Sequence, residues 1–190
     1  MRLLVLNHES EFLNDLLNYL IKKKVAFDVR KPMEAIDKKY YDGIIASGGF
    51  LTKEKYKEIL NWYNNFLNKL DKPFLGICLG LKIIGYCHGA RMRKISFEEG
   101  ITDIEFHKNF PLAPNAKNLK VYQSHGYELI PPLPSTLENF TGNETSPIQA
   151  IKVKKKQQFA VQFHPEKSND GNVILDNFVS LCDKIEKKVM

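Results

Sequence analysis

The sequence predicts an α/β domain: a single-domain, open, mostly parallel sheet flanked by helices, with a small antiparallel β excursion after residue 90. Three observations carry that prediction. Short apolar runs at 2–6, 25–29, 41–46 and 74–77 alternate with stretches of helical periodicity, the pattern of a parallel sheet covered on both faces. After Gly89 the pattern changes to short strand-like runs joined by turns. The chain has 190 residues, 43% hydrophobic and 26% charged, enough to bury one core.

Taken in order, the first strand closes in Asn7-His8-Glu9-Ser10, where open α/β sheets place ligands. His8 either lines a site there or is an unremarkable loop histidine. Phe12, Leu13, Leu16, Leu17 and Leu20 then predict an amphipathic helix ending in lysines, which suit its negative C-terminal end. Pro32 breaks the second strand. The third closes in Ser47-Gly48-Gly49-Phe50, where two glycines let backbone N–H groups approach a ligand. Thr52 is placed to cap a helix running to Leu70, with a stripe of Tyr56, Ile59, Leu60, Tyr63, Phe66 and Leu67 and with Trp62 beside it.

Pro73 opens the fourth strand, and Ile83, Ile84 and Tyr86 follow it at helical spacing. Runs at 91–94, 101–106, 119–123 and 127–130 read as short strands, and 111–118 as a loop. Pro131-Pro132-Leu133-Pro134 is a rigid connector. Runs at 137–141, 148–153 and 158–163 return the chain to the sheet. A last helix over 171–188 packs through Val173, Ile174, Leu175, Phe178 and Leu181.

The chemistry concentrates at the fourth strand's end. Gly76-Ile77-Cys78-Leu79-Gly80 is a Gly-x-nucleophile-x-Gly pattern with cysteine as the nucleophile. A tight strand-to-helix turn would expose the thiol above the sheet, place it at a helix N-terminus that favours thiolate, and aim the Leu79 N–H at an oxyanion. A buried structural cysteine between turn glycines fits the same five residues. A second apolar strand, Phe159-Ala160-Val161-Gln162-Phe163, ends in His164-Pro165-Glu166. A thiol nucleophile needs a base, and the base an orienting group. His164 and Glu166, two residues apart with proline between them, meet that need.

These motifs resemble the class I (triad) glutamine amidotransferases. Ile44-Ile45-Ala46-Ser47-Gly48-Gly49 resembles that family's strand and oxyanion loop, Gln123-Ser124-His125-Gly126 its substrate-holding loop, and 171–178 the start of its last helix. The four motifs occur in the family's order and span nearly the whole chain. The resemblance implies a flavodoxin-like sheet forming one glutamine amidotransferase domain over residues 1–190. It implies catalysis by Cys78, His164 and Glu166, an oxyanion hole of the Gly49 and Leu79 N–H groups, and substrate contacts from Gly48, Phe50, Lys82, Ser124, His125 and Gly126. It implies no cofactor and no metal. Ammonia released from glutamine would pass to an ATP-using synthetase, which 190 residues leave no room for and which is expected on a separate polypeptide.

Within the class, Phe97-Glu98-Glu99-Gly100-Ile101-Thr102 and Ser124-His125-Gly126 with Glu128 most resemble the stand-alone amidotransferase subunits of GMP synthetases, with the ATP-using subunit of that enzyme as the implied partner. The subunits of anthranilate and aminodeoxychorismate synthases are the nearest alternative. Tyr127 stands where an acidic residue often follows the Ser-His-x motif, and Phe50 where proline is frequent. A sharper departure is Lys82, at a position where the family usually has a substrate-contacting glutamine. An ammonium only donates. Lys82 falls one helical turn beyond Cys78, on the same face. It could pair with a substrate carboxylate, lower the thiol's pKa, obstruct the pocket, or simply be a surface lysine. A γ-glutamyl hydrolase and a non-catalytic binding or regulatory relative are the readings from other classes.

Composition narrows the setting. No apolar run approaches a membrane span, and the chain opens directly on a strand rather than a signal peptide. Three cysteines argue against a disulfide framework and for the reducing cytoplasm. Cys87 and Cys182 fall on predicted helices as packing residues. The net charge of +6 comes from lysine clusters at 22–24, 154–156 and 187–188 in separate elements, read as solvated faces rather than a nucleic-acid surface. Asn139-Phe140-Thr141 and Asn143-Glu144-Thr145 match glycosylation sequons, without meaning in the cytoplasm.

Overall fold

In a computed structural model, residues 1–50, 53–143 and 146–189 are described. Among them, nine strands form one sheet: β1 (Arg2–His8), β2 (Ala26–Arg30), β3 (Gly43–Gly49), β4 (Phe74–Ile77), β5 (Arg91–Phe106), β6 (Asn118–Ile130), β7 (Leu137–Gly142), β8 (Ala150–Val153) and β9 (Gln158–Val161). Four helices accompany them: α1 (Leu13–Lys22), α2 (Lys53–Asn68), α3 (Leu79–Cys87) and α4 (Asn172–Val189). The sheet order is β2-β1-β3-β4-β9-β8-β7-β5-β6. The first five are parallel neighbours in the flavodoxin-like order, and the remaining pairings are antiparallel. The fold is the expected α/β class.

Alternation along the strands divides the core in two. Leu3, Val5, Ile45, Leu75, Phe159 and Val161 face one side, with Leu16 and Leu20 of α1 and Ile174 and Phe178 of α4. Leu4, Leu6, Ile44, Phe74 and Ala160 face the other, with Leu60 and Tyr63 of α2 and Ile84 of α3. Side chains of successive strand residues point to opposite faces, so a strand covered on both sides must be apolar at every position. Phe159 is fully buried in β9 against Phe110, their rings 6.1 Å apart. Phe159→Ala is expected to cost about 3–5 kcal/mol, read as a lower urea midpoint at unchanged slope.

The antiparallel half differs in detail from the expected short strands. The runs at 91–94 and 101–106 belong to one 16-residue strand, and those at 119–123 and 127–130 to one of 13 residues. The two strands form a long hairpin with a register shift between Lys94 and Glu98. The sheet curls so that Tyr122 of β6 bridges to His164 just beyond β9, with the His164 N–H donating to the Tyr122 carbonyl at 2.8 Å. Cys87 closes α3, and Cys182 is buried in α4; both are free thiols. Thr52, Glu144 and Thr145, and the side chains of Tyr56, Lys187 and Lys188, lie outside the described residues. None of the described helices is long and apolar enough to cross a membrane.

Candidate active site

Cys78 occupies the turn between β4 and α3 with φ 50° and ψ −90°, a conformation rare outside glycine. Such a backbone costs about 1–3 kcal/mol and persists only where its surroundings impose it. Here they do. The Cys78 N–H donates to the Val161 carbonyl at 2.8 Å, pinning the turn to β9. A Cβ at Gly76 would lie 2.6 Å from the Gly80 carbonyl carbon, so the turn closes only with glycine there.

Three groups besides the base approach the buried Cys78 sulfur. The Lys82 ammonium lies 3.5 Å from it, the Gln162 side-chain N–H 3.6 Å, and the Ser124 carbonyl 3.7 Å. Burial pushes the thiol pKa up. The Lys82 charge and a hydrogen bond with His164 outweigh that and bring it down to about 7. Burial pushes His164 down, but Cys78 and Glu166 raise it well above its ordinary value. The His164 Nδ1–H donates to Glu166 Oε1 at 2.9 Å, both side chains nearly inaccessible at 3% and 2%. The lowered thiol and the raised imidazole favour a thiolate–imidazolium pair, with Glu166 bonded behind the imidazole. Their order along the site is nucleophile, base and orienting group.

Gly49 ends β3 beside this line with φ +134°, and a Cβ there would fall 2.1 Å from the His8 carbonyl oxygen. Gly48 packs on the His164 ring, where a Cβ would lie 2.7 Å from Cε1. Leu79, first residue of α3, presents an N–H with no intrahelical carbonyl to bond. Phe50 is 78% exposed at the rim. Ser124, His125 and Gly126 of β6 form the opposite wall, and the cleft between holds about 540 Å³. His125 is buried, and burial with the Lys82 charge lowers its pKa to about 3. Of the expected site residues, Gly49, Phe50, Cys78, Leu79, Lys82, Ser124, His125, Gly126 and His164 line one cleft, while Glu166 and Gly48 do not line it and instead contact His164. Among the described residues no cluster suited to a metal ion occurs.

A profile of the family described as glutamine amidotransferase class-I matches residues 4–181. The chain belongs to the class I glutamine amidotransferases. It is 32% identical over 180 residues to a subunit of the glutamine-hydrolyzing GMP synthase of Saccharolobus solfataricus, covering 88% of this chain and 94% of that one. It is also 32% identical over 160 residues to the protein of the same name from Pyrococcus abyssi, covering 81% and 82%. Its fold matches the crystal structure of a Thermoplasma acidophilum protein described provisionally as a GMP synthase subunit, with a TM-score of 0.87, 22% identity, and coverage of 98% and 96%. A Thermotoga maritima glutamine amidotransferase matches with a TM-score of 0.74, 24% identity, and coverage of 100% and 86%.

The sequence leaves two residues of this amidotransferase site without an assigned role. Gln162 is one, its amide directed at the sulfur from a fully buried position. His8 is the other. It belongs to β1 and is buried, not a loop residue. Its backbone N–H donates to Ser47 Oγ at 3.1 Å, its Nδ1 meets the Ser47 carbonyl at 3.0 Å, and its Nε2 meets the Tyr63 hydroxyl at 2.7 Å. With Nδ1–H donating to Ser47 and Nε2 accepting from Tyr63, a neutral ring satisfies both contacts and clamps the strand end before Gly48 and Gly49.

Burial lowers the His8 pKa from 6.5 to about 4, with Ser47 opposing the shift. Between those values the unfolded chain binds a proton that the folded chain refuses. Stability should therefore rise with pH across that window, being full above 6.5 and lost as the pH falls toward 4. The loss from His8 alone is on the order of 3 kcal/mol. His125 acts in the same direction. The raised pKa of His164 gives a contribution already complete below 6.5, so it does not offset the loss. Urea midpoints measured from pH 7.5 down to 4 check this, and His8→Gln is expected to flatten the slope.

Proposed function

We propose that this chain hydrolyses the side-chain amide of glutamine and passes the ammonia to a separate ATP-using synthetase polypeptide that makes GMP. In this reading residues 1–190 act as one cytoplasmic amidotransferase domain. The observation that carries it is the line of Cys78, His164 and Glu166, with a strained nucleophile at a helix start and a buried 2.9 Å bond between base and carboxylate. Family membership supplies the reaction class. The GMP assignment rests on the names of relatives that this chain matches over 82–94% of their length.

In the reaction, the Cys78 thiolate attacks the γ-amide carbon and the carbonyl electron pair moves to oxygen. The Gly49 and Leu79 N–H groups hold that oxyanion, each worth roughly 3 kcal/mol. The intermediate collapses as the His164 imidazolium gives its proton to the leaving nitrogen, releasing ammonia and leaving a γ-glutamyl thioester. Water, deprotonated by His164, cleaves the thioester to glutamate and restores the thiolate. Glu166 keeps the imidazole oriented and stabilises its cation throughout.

The test combines the chain with a GMP-forming synthetase partner, ATP and the nucleotide acceptor, with glutamine as the only nitrogen source. GMP formation from glutamine that requires this chain is the expected result. GMP formed only from free ammonium, at the same rate with or without this chain, would overturn the reading.

A further inference from the structure

We infer that Lys82 is a specificity-determining residue that exchanges partners: it is counter-ion to the Cys78 sulfur in the empty site and to the substrate's free carboxylate once the sulfur has been acylated. Its substrate class would be γ-carboxamides bearing a free α-carboxylate. The substrate rests on the amidotransferase reading, but the first test below does not.

The geometry is that of a tether. Lys82 stands one helical turn after Cys78, and its ammonium curls back to within 3.5 Å of both the Cys78 sulfur and the Cys78 carbonyl oxygen. The half-buried ammonium reaches the cleft from the nucleophile's own helix. Its charge is the largest influence holding the thiol pKa down. Three of the other charged groups at the cleft are engaged elsewhere. Arg93 of β5 is bound through Nε, at 2.7 Å, to the buried Glu128 of β6. Glu98 of β5 faces the His125 ring at 3.4 Å, and the imidazolium of His164 is held by Glu166. Lys94 and Glu11 lie in the cleft wall.

Thioester formation changes the balance. When the sulfur–carbon bond forms, the thiolate charge is cancelled by the imidazolium proton that departs in ammonia, and a half-buried ammonium loses its anion. A half-buried cation without a partner is costly, and lysine's flexible stem lets the charge swing to a new one. A carboxylate on the bound acyl group supplies that partner. On the same wall the buried His125 feels the Lys82 charge, which helps to keep its ring neutral. A glutamine side chain at position 82 has no charge to exchange in this way.

The test uses two alkylating agents of similar size, one anionic and one neutral, whose intrinsic reactivities cancel when the ratio is compared between variants. Modification of Cys78 by iodoacetate and by iodoacetamide is followed on the Cys78 peptide at neutral pH and low salt, in the native chain, Lys82→Gln and Lys82→Arg. The iodoacetate-to-iodoacetamide rate ratio is expected to fall about tenfold in Lys82→Gln, a 1.4 kcal/mol loss of attraction for the carboxylate, and to persist in Lys82→Arg. Protection against iodoacetamide by glutamine should exceed protection by its α-carboxamide in the native chain, and the difference should shrink in Lys82→Gln. Equal ratios in the native chain and Lys82→Gln would overturn the inference, whatever the chain does with glutamine. A ratio that falls in a chain that never supports glutamine-dependent synthesis would retain Lys82 as an anion-selecting residue and overturn the amidotransferase reading instead.

Discussion

Cys78→Ala lowers glutamine-dependent ammonia release by at least about 10³-fold, the scale seen when a nucleophile is removed from a triad that acts as a unit. Synthesis from free ammonium by the partner synthetase should be unchanged, because the loss lies in the thioester step alone. A variant that kept more than a few per cent of the glutaminase rate would mean that the nucleophile lies elsewhere. The same position makes a second, opposite prediction about stability. Cys78 holds φ 50°, which glycine adopts without strain. Cys78→Gly is therefore expected to be as inactive as Cys78→Ala, yet more stable than it by about 1 kcal/mol. Paired urea titrations of the two variants measure that difference.

Gly49→Ala should be nearly as damaging, by a different route. The added methyl would fall 2.1 Å from the His8 carbonyl oxygen, at a backbone φ of +134°. The His8 backbone cannot yield cheaply, since His8 is clamped between Ser47 and Tyr63. The strand end must move, and the Gly49 N–H moves with it. Loss of one oxyanion donor costs roughly 10²–10³-fold in turnover. The expected signature is a fall in kcat with iodoacetamide labelling of Cys78 retained, because the sulfur and its cations are untouched. A Gly49→Ala chain with native turnover would remove Gly49 from the oxyanion hole.

Much of this site is written in short, local patterns. Gly76-Ile77-Cys78-Leu79-Gly80 encodes the turn because only glycine fits at position 76, where a Cβ would lie 2.6 Å from the Gly80 backbone. Lys82 can be placed on the nucleophile's face because helical spacing leaves no choice. The base pair His164 and Glu166 is two residues apart and so also local. What stays hidden depends on distant partners. The histidine at the end of β1 reads as a loop residue until Ser47, 39 positions away, and Tyr63, 55 away, fold against it. Gln162 looks like one more residue of a buried strand, and only the return of β9 beside β4 brings its amide to the sulfur. The long β5–β6 hairpin reads as fragments for another reason. Most of β5 is exposed or half-buried, so the strand lacks the apolar alternation that marks a core strand.

The place of β9 in the sheet has a consequence for the order in which the protein can be made. Among the described strands it is the last in chain order, yet it lies in the middle of the sheet, between β4 and β8. Until residue 161 is available, the nascent chain carries two unpaired sheet edges beyond the permanent ones at β2 and β6, and β4, wholly buried in the finished protein, is one of them. The turn at Cys78 also lacks the Val161 carbonyl that pins it. A half-made chain is thus an aggregation-prone chain, and although Lys82 already stands beside the thiol on α3, the base and the pinned turn geometry arrive in one closing event. Insertion of a single strand completes the sheet and arms the nucleophile together, so no partly synthesised form should carry a reactive Cys78.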